Sequence, residues 1–135
     1  MQPFERSPMS ELDVSDVFRQ IGDDGLARVT KLFYQRVRDD QILAPMYPAE
    51  DFDGAEQRLR QFLIFRFGGP DTYLHERGHP RLRMRHAGFA IDQQARDRWF
   101  QLMSEAIEEA EIPKETAEIM LAFLAHVATF LMNRE

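Results

Sequence analysis

The sequence predicts an all-α protein built as one domain, and three observations lead there. Apolar residues recur at helical spacing along nearly the whole chain, and no stretch alternates apolar and polar residues as a half-buried strand does. The 135 residues contain no internal repeat and are enough to enclose one substantial core.

The elements follow in order. Val14, Val17, Phe18 and Ile21 have the i, i+3, i+4, i+7 spacing of a short amphipathic helix, with Ser10 or Asp13 as its cap. Gly22-Asp-Asp-Gly25 interrupts the chain, and a second helix places Leu26, Val29, Leu32, Phe33 and Val37 on one face. Pro45 and Pro48 end that region and leave Tyr47 in an irregular corner. A third helix is predicted from Phe52 to Phe67, burying Ala55, Leu59, Phe62 and Leu63 before Gly68-Gly69-Pro70 stops it. From Asp71 to Ile91 the pattern weakens to a loop with at most a short helix around Leu82 to His86. Asp92 is placed as the N-cap of a long helix reaching about Glu111, with Trp99, Met103 and Ile107 inward. Pro113 fits the first turn of a last helix, whose buried side is read as Ile119, Met120, Phe123, Leu124, Val127, Phe130 and Leu131.

Composition narrows the chemistry. The chain has no cysteine, which excludes disulfides, thiolate nucleophiles and cysteine-bound metal centres. A net charge of −6 disfavours nucleic acid as a partner. No apolar run is long enough to span a bilayer and the N-terminus lacks a signal-peptide pattern, so a cytoplasmic protein is expected. Fifteen of the 17 basic residues are arginine, and nine of those lie between Arg58 and Arg98. Arginine holds carboxylates in a bidentate fork, so this stretch faces an anionic ligand or simply balances the acidic helices. No phosphate-binding glycine loop, nucleophile elbow or H-E-x-x-H helix is present.

Four histidines remain: His75, His79, His86 and His126. His75 and His79 are spaced for a helical metal site, but Gly78 and Pro80 disfavour a regular helix there. His126 reads as a structural residue of the last helix. His86 closes a short helical piece among Leu82, Met84 and Phe89, and by its neighbours alone it is more simply structural than a ligand.

The ordered set of segments adds what periodicity does not. Arg77-Gly-His-Pro-Arg-Leu-Arg-Met-Arg-His-Ala-Gly-Phe89 resembles the proximal segment of group II truncated haemoglobins, in which the last histidine binds haem iron. Phe33-Tyr34, Met46-Tyr47-Pro48, Ala55-Glu-Gln-Arg-Leu59 with Phe62 and Gly68-Gly69-Pro70, and Arg96-Asp-Arg-Trp99 are similar to further segments of that family, in order over about residues 14 to 133. The resemblance implies a 2-on-2 globin sandwich over residues 13–135, preceded by an N-terminal extension at 1–12. It implies haem b as cofactor, His86 as proximal iron ligand, and Tyr34, Tyr47 and Trp99 as polar distal residues. Ala55 falls where many globins carry a distal histidine, which leaves the distal side to the other three. Arg58 corresponds to the arginine that pairs with a haem propionate, and Arg83 or Arg85 is the candidate for the proximal edge. Leu59, Phe62, Leu82, Met84 and Phe89 are candidate contacts to the porphyrin, with plain core as the alternative for each. Phe67 stands where the family often has tryptophan, and Gly88 where it often has proline.

The function this implies is reversible O2 binding for transport or scavenging, with NO or CO as further ligands. The alternative is a haem enzyme, an NO dioxygenase or peroxidase, which would depend on an external reductase. Monomer and homodimer both stay open.

Overall fold

The computed structural model describes residues 13–78 and 80–134. The proposed extension at 1–12, with its cap candidate Ser10, and His79 lie outside the described residues.

The described residues open with a 3-10 turn at Val14–Asp16. Asp13 and Asp16 lock it as a capping box: the Asp13 carboxylate accepts the Ser15 N–H at 2.9 Å, and the Asp16 carboxylate accepts the Asp13 N–H at 2.9 Å. Helix α1 follows at Val17–Arg38, continuous except at Gly22, whose φ of 65° lies in the left-handed region. Only glycine adopts that conformation freely, so the interruption read over Gly22–Gly25 narrows to one residue and a kink. Two further 3-10 turns, Ala44–Met46 and Ala49–Asp51, carry the chain round the proline corner into α2, Phe52–Arg66.

Gly68 then lets the chain fold back. Its φ is 96°, and a Cβ there would lie 2.0 Å from the Ser15 carbonyl oxygen. That close approach lets the Phe18 N–H donate to the Phe67 carbonyl at 2.8 Å, closing the end of α2 onto the start of α1.

The loop expected from Asp71 to Ile91 holds two short helices rather than one. Helix α3 spans Thr72–Arg77 and α4 spans Leu82–Arg85. Helix α3 escapes the periodicity because one buried residue anchors it: Tyr73, stacked on Phe65 and edge-on to Phe62. Helices α5, Gln93–Glu109, and α6, Lys114–Phe130, complete the chain. Asp92 caps α5 as expected, its carboxylate accepting the Ala95 N–H at 2.8 Å.

Helix α1 packs against both α2 and α5, and α5 packs against α6, giving the two layers of a 2-on-2 globin sandwich. Phe33, Leu26, Leu63, Phe67, Met103, Ile107, Met120 and Leu124 are fully buried between them. Each such side chain contributes about 1.5–3 kcal/mol of burial. Phe130 departs from the expected buried face: it is 49% exposed and lies under the Arg83 guanidinium at 5.3 Å. The reason is rotational. Leu124, Ala128 and Leu131 share one face of α6, and Phe130 sits roughly 240° round from Leu124. No described helix is long and apolar enough to cross a membrane.

Candidate haem pocket

Between the two layers lies a cavity of about 440 Å³, inside the ordinary range of cofactor sites. Its walls come from α1, the proline corner, α2, α3, α4, α5 and α6, so residues far apart in sequence meet there. His86, Arg58, Leu59, Phe62, Leu82, Phe89, Tyr34, Tyr47, Trp99 and Ala55 all line it.

Arg83 and Met84 do not line it, and this corrects the contacts expected of them. Helix α4 has room for one inward face. Leu82, Arg85 and His86, at i, i+3 and i+4, occupy that face. Arg83 and Met84 are rotated by roughly 100° and 200° from Leu82, which turns them away. Met84 is accordingly 62% exposed, and Arg83 covers Phe130. Of the two arginines considered for the proximal edge, Arg85 is the one at the cavity.

His86 is held by its own helix. Its Nδ1 lies 2.8 Å from the Leu82 carbonyl oxygen. A carbonyl only accepts, so Nδ1 is the donor, and in a neutral imidazole this tautomer leaves the Nε2 lone pair for a metal. The Asn133 side chain braces the following turn by donating to the Phe89 carbonyl at 2.9 Å and to the His86 carbonyl at 3.4 Å.

Three aromatic residues make the polar corner of the cavity. Tyr34 is buried, its ring edge-on to Phe33 at 5.0 Å and to Tyr47 at 5.6 Å; Trp99 packs edge-on against Phe33 at 5.3 Å. Burial pushes the Tyr47 phenol above its ordinary value of 10.0, while hydrogen bonds from Tyr34 and Trp99 pull it partway back. Burial, and then the neighbouring Tyr47, push the Tyr34 phenol well above 10.0. A hydrogen bond that favours the charged form of Tyr47 is one its oxygen accepts, and the indole N–H can only donate. Tyr34, Tyr47 and Trp99 thus gather their polar groups at one corner of the cavity, where the indole N–H serves as a donor.

The rim carries arginine. Arg58 pairs with Asp51 at 2.8 Å, with both side chains 43% exposed. Arg96, which also lines the cavity, donates to Thr129 at 3.1 Å and pairs with Asp97 at 3.3 Å. Sequence reasoning named Arg96 only as part of a motif, and missed Leu43, Met46, Ile91, Ala95, Leu124 and Val127 as cavity walls. These residues are periodic apolar positions like any core residue, and only long-range packing sets them apart. His75 is exposed and pairs with Asp71 at 3.3 Å; among the described residues no cluster of three or more His, Asp or Glu is arranged to hold a metal ion.

This set fits a haem. An apolar slot matches the porphyrin, an imidazole anchored through Nδ1 with Nε2 left for a metal matches an iron ligand, and arginines at the rim match two propionates. Comparison with known proteins agrees. Residues 16–133 match the bacterial-like globin family. The group 2 truncated haemoglobin YjbI of Bacillus subtilis is 32% identical over 117 residues, covering 87% of this chain and 88% of that protein. A haemoglobin from the thermophilic phototroph Chloroflexus aurantiacus superposes with a TM-score of 0.84 at 41% identity, covering 87% of this chain and 98% of that one. The truncated oxygen-avid haemoglobin of Bacillus subtilis superposes with a TM-score of 0.83 at 32% identity, covering 87% and 98%. With fold, cavity and relatives in agreement, the chain belongs to the group 2 truncated haemoglobins, the 2-on-2 branch of the haem-binding globins.

Proposed function

We propose that this globin binds O2 reversibly, with haem b held by His86 and with Tyr47, supported by Tyr34 and Trp99, as its distal donor. Ferrous haem supplies the affinity for O2, and the chain supplies orientation, dryness and polarity. His86 presents Nε2 while Leu82 holds its other nitrogen. Arg58 and Arg85, at the cavity rim, are the residues that would meet the propionates. Ala55 lines the distal side with a methyl group, which neither donates a hydrogen bond nor crowds a diatomic ligand.

The observation that carries the reading is that Tyr34, Tyr47 and Trp99, three side chains that each carry a donatable proton, line the same cavity as His86. A polarised O2 molecule accepts such a proton in a water-poor pocket more strongly than it would in water, and its release slows. The oxygen-avid character named for the Bacillus subtilis relative is in keeping with this. The test is an O2 cycle on the ferrous protein. Repeated oxygenation and deoxygenation with unchanged spectra is expected. Oxidation to the ferric form on first contact with O2 would contradict reversible binding.

A further inference from the structure

One buried charge takes no part in the reading above. Asp40 is 6% exposed, just past the end of α1, and faces the α5 residue Arg98. One of its carboxylate oxygens accepts the N–H groups of Ile42 at 3.1 Å and Leu43 at 2.9 Å; the other accepts the Arg98 Nε–H. Arg98 in turn donates to Gln101 at 3.1 Å, which fixes its fork along α5.

The two ends of this pair are rooted beside the two distal residues that come from different elements. On one side the backbone runs from Asp40 to Tyr47 as a ladder of tight turns. The Ala44 N–H donates to the Asp40 carbonyl at 3.0 Å, Met46 to Leu43 at 2.9 Å, and Tyr47 to Ala44 at 3.1 Å. Leu43, Met46 and Tyr47 all face the cavity. On the other side Arg98 immediately precedes Trp99 on α5.

We infer that the Asp40–Arg98 pair is a positioning device for the distal site, setting the distance between Tyr47 on the corner and Trp99 on α5. The inference rests on the distal-donor reading of the proposed function. A burial this deep is costly for a lone carboxylate, so the corner is held wherever Arg98 and the two N–H groups are available. Asp40 and Arg98 touch neither haem nor gas; they act through Tyr47 and Trp99.

The test uses the haem-loaded protein and the variants Asp40→Asn, Arg98→Leu and Arg98→Lys. Arg98 is on the surface side of the pair, so its variants remain usable where Asp40→Asn does not fold. Two readouts are taken besides the thermal midpoint. One is the O2 release rate. The other is the indole N–H resonance in the ¹H–¹⁵N spectrum of the CO complex, a single signal because Trp99 is the chain's one tryptophan. Asp40→Asn or Arg98→Leu is expected to speed O2 release roughly fivefold, the scale of one neutral hydrogen bond. Both are expected to shift the indole signal, the double variant adds little to either single one, and Arg98→Lys falls between wild type and Arg98→Leu. A lowered midpoint with unchanged release rate and unchanged indole signal would overturn the inference and leave the pair a stabilising contact. Should Tyr47→Phe and Trp99→Phe themselves leave O2 release unchanged, the distal-donor reading fails on its own. The indole signal then decides the positioning claim alone, a shift supporting it and no shift overturning it.

Discussion

Tyr47→Phe removes one oxygen and leaves the ring, so the cavity keeps its shape and loses only polarity. In the proposed reading that oxygen shares the polar corner with Tyr34 and Trp99, and its proton faces a distal ligand. Losing the proton costs a distal ligand one hydrogen bond, about 0.5–1.5 kcal/mol net, or roughly a two- to tenfold faster release. Losing the oxygen also takes a polar neighbour from Tyr34 and Trp99 in a water-poor corner, at about 1–3 kcal/mol for each buried group that finds no other partner. Two consequences separate this account from one in which the aromatics merely fill space. The ligand-free protein is destabilised by more than the loss of a hydroxyl from a solvated site would give. And Tyr34→Phe, which removes only an outer donor, has the smaller effect on release. Flash photolysis or stopped-flow displacement of O2 by CO measures the rates, and urea unfolding of the ferric protein measures stability. A Tyr34→Phe effect larger than that of Tyr47→Phe, or slower release in Tyr47→Phe, would refute the donor chain.

Further outcomes follow from the same geometry. Gly68→Ala places a Cβ 2.0 Å from the immovable Ser15 carbonyl at a φ of 96°, so it loses about 2 kcal/mol or more in urea unfolding. Gly88→Ala meets open space and stays within about 0.5 kcal/mol of wild type, and equal losses in the two would contradict the close-approach argument. Both distal phenols titrate above 10.0 when folded, so O2 release stays independent of their ionisation from neutral pH up to about 10. Their contribution to stability is fully present below 10.0 and is lost as pH rises through the higher folded values; a tyrosinate absorbance from either at pH 8 would contradict this. Asp40 behaves in the opposite sense. Burial would raise its pKa, but the Leu43 N–H, Arg98 and the Ile42 N–H outweigh it and hold the carboxyl below 3.8. Its contribution is present above 3.8 and is lost as pH falls through the lower folded value, so Asp40→Asn flattens the acid limb of a stability–pH curve.

How much of this was legible in the sequence depends on range. Helices α2, α5 and α6 announce themselves because each repeats an apolar face over several turns, and Asp92 caps α5 as its position suggests. Helix α3 spans six residues and, among its described side chains, buries Tyr73 alone, too short a stretch for a period to show. At Gly22 the composition of four residues suggested a broken chain, while the backbone needs a single left-handed residue to kink and continue. The site divides in the same way. Resemblance to a family brought forward His86, Tyr34, Tyr47, Trp99 and Arg58, and all five line one cavity. Arg83 and Met84 were chosen by adjacency to His86, and a helix turning by roughly 100° per residue sends adjacent side chains to different faces. Arg96 and the Asp40–Arg98 pair were not singled out, because their partners lie 33 and 58 residues away.

Ligation of haem iron by His86 is open to a direct reading in the visible absorption spectrum. Purified wild-type protein and His86→Ala, each supplied with haem, are compared in ferric, ferrous and CO-bound forms. Wild type is expected to take up one haem per chain with a histidine-ligated spectrum. His86→Ala is expected to lose that ligation and retain less haem, and free imidazole is expected to restore the histidine-like bands. An His86→Ala protein with normal haem content and unchanged axial coordination would contradict the account.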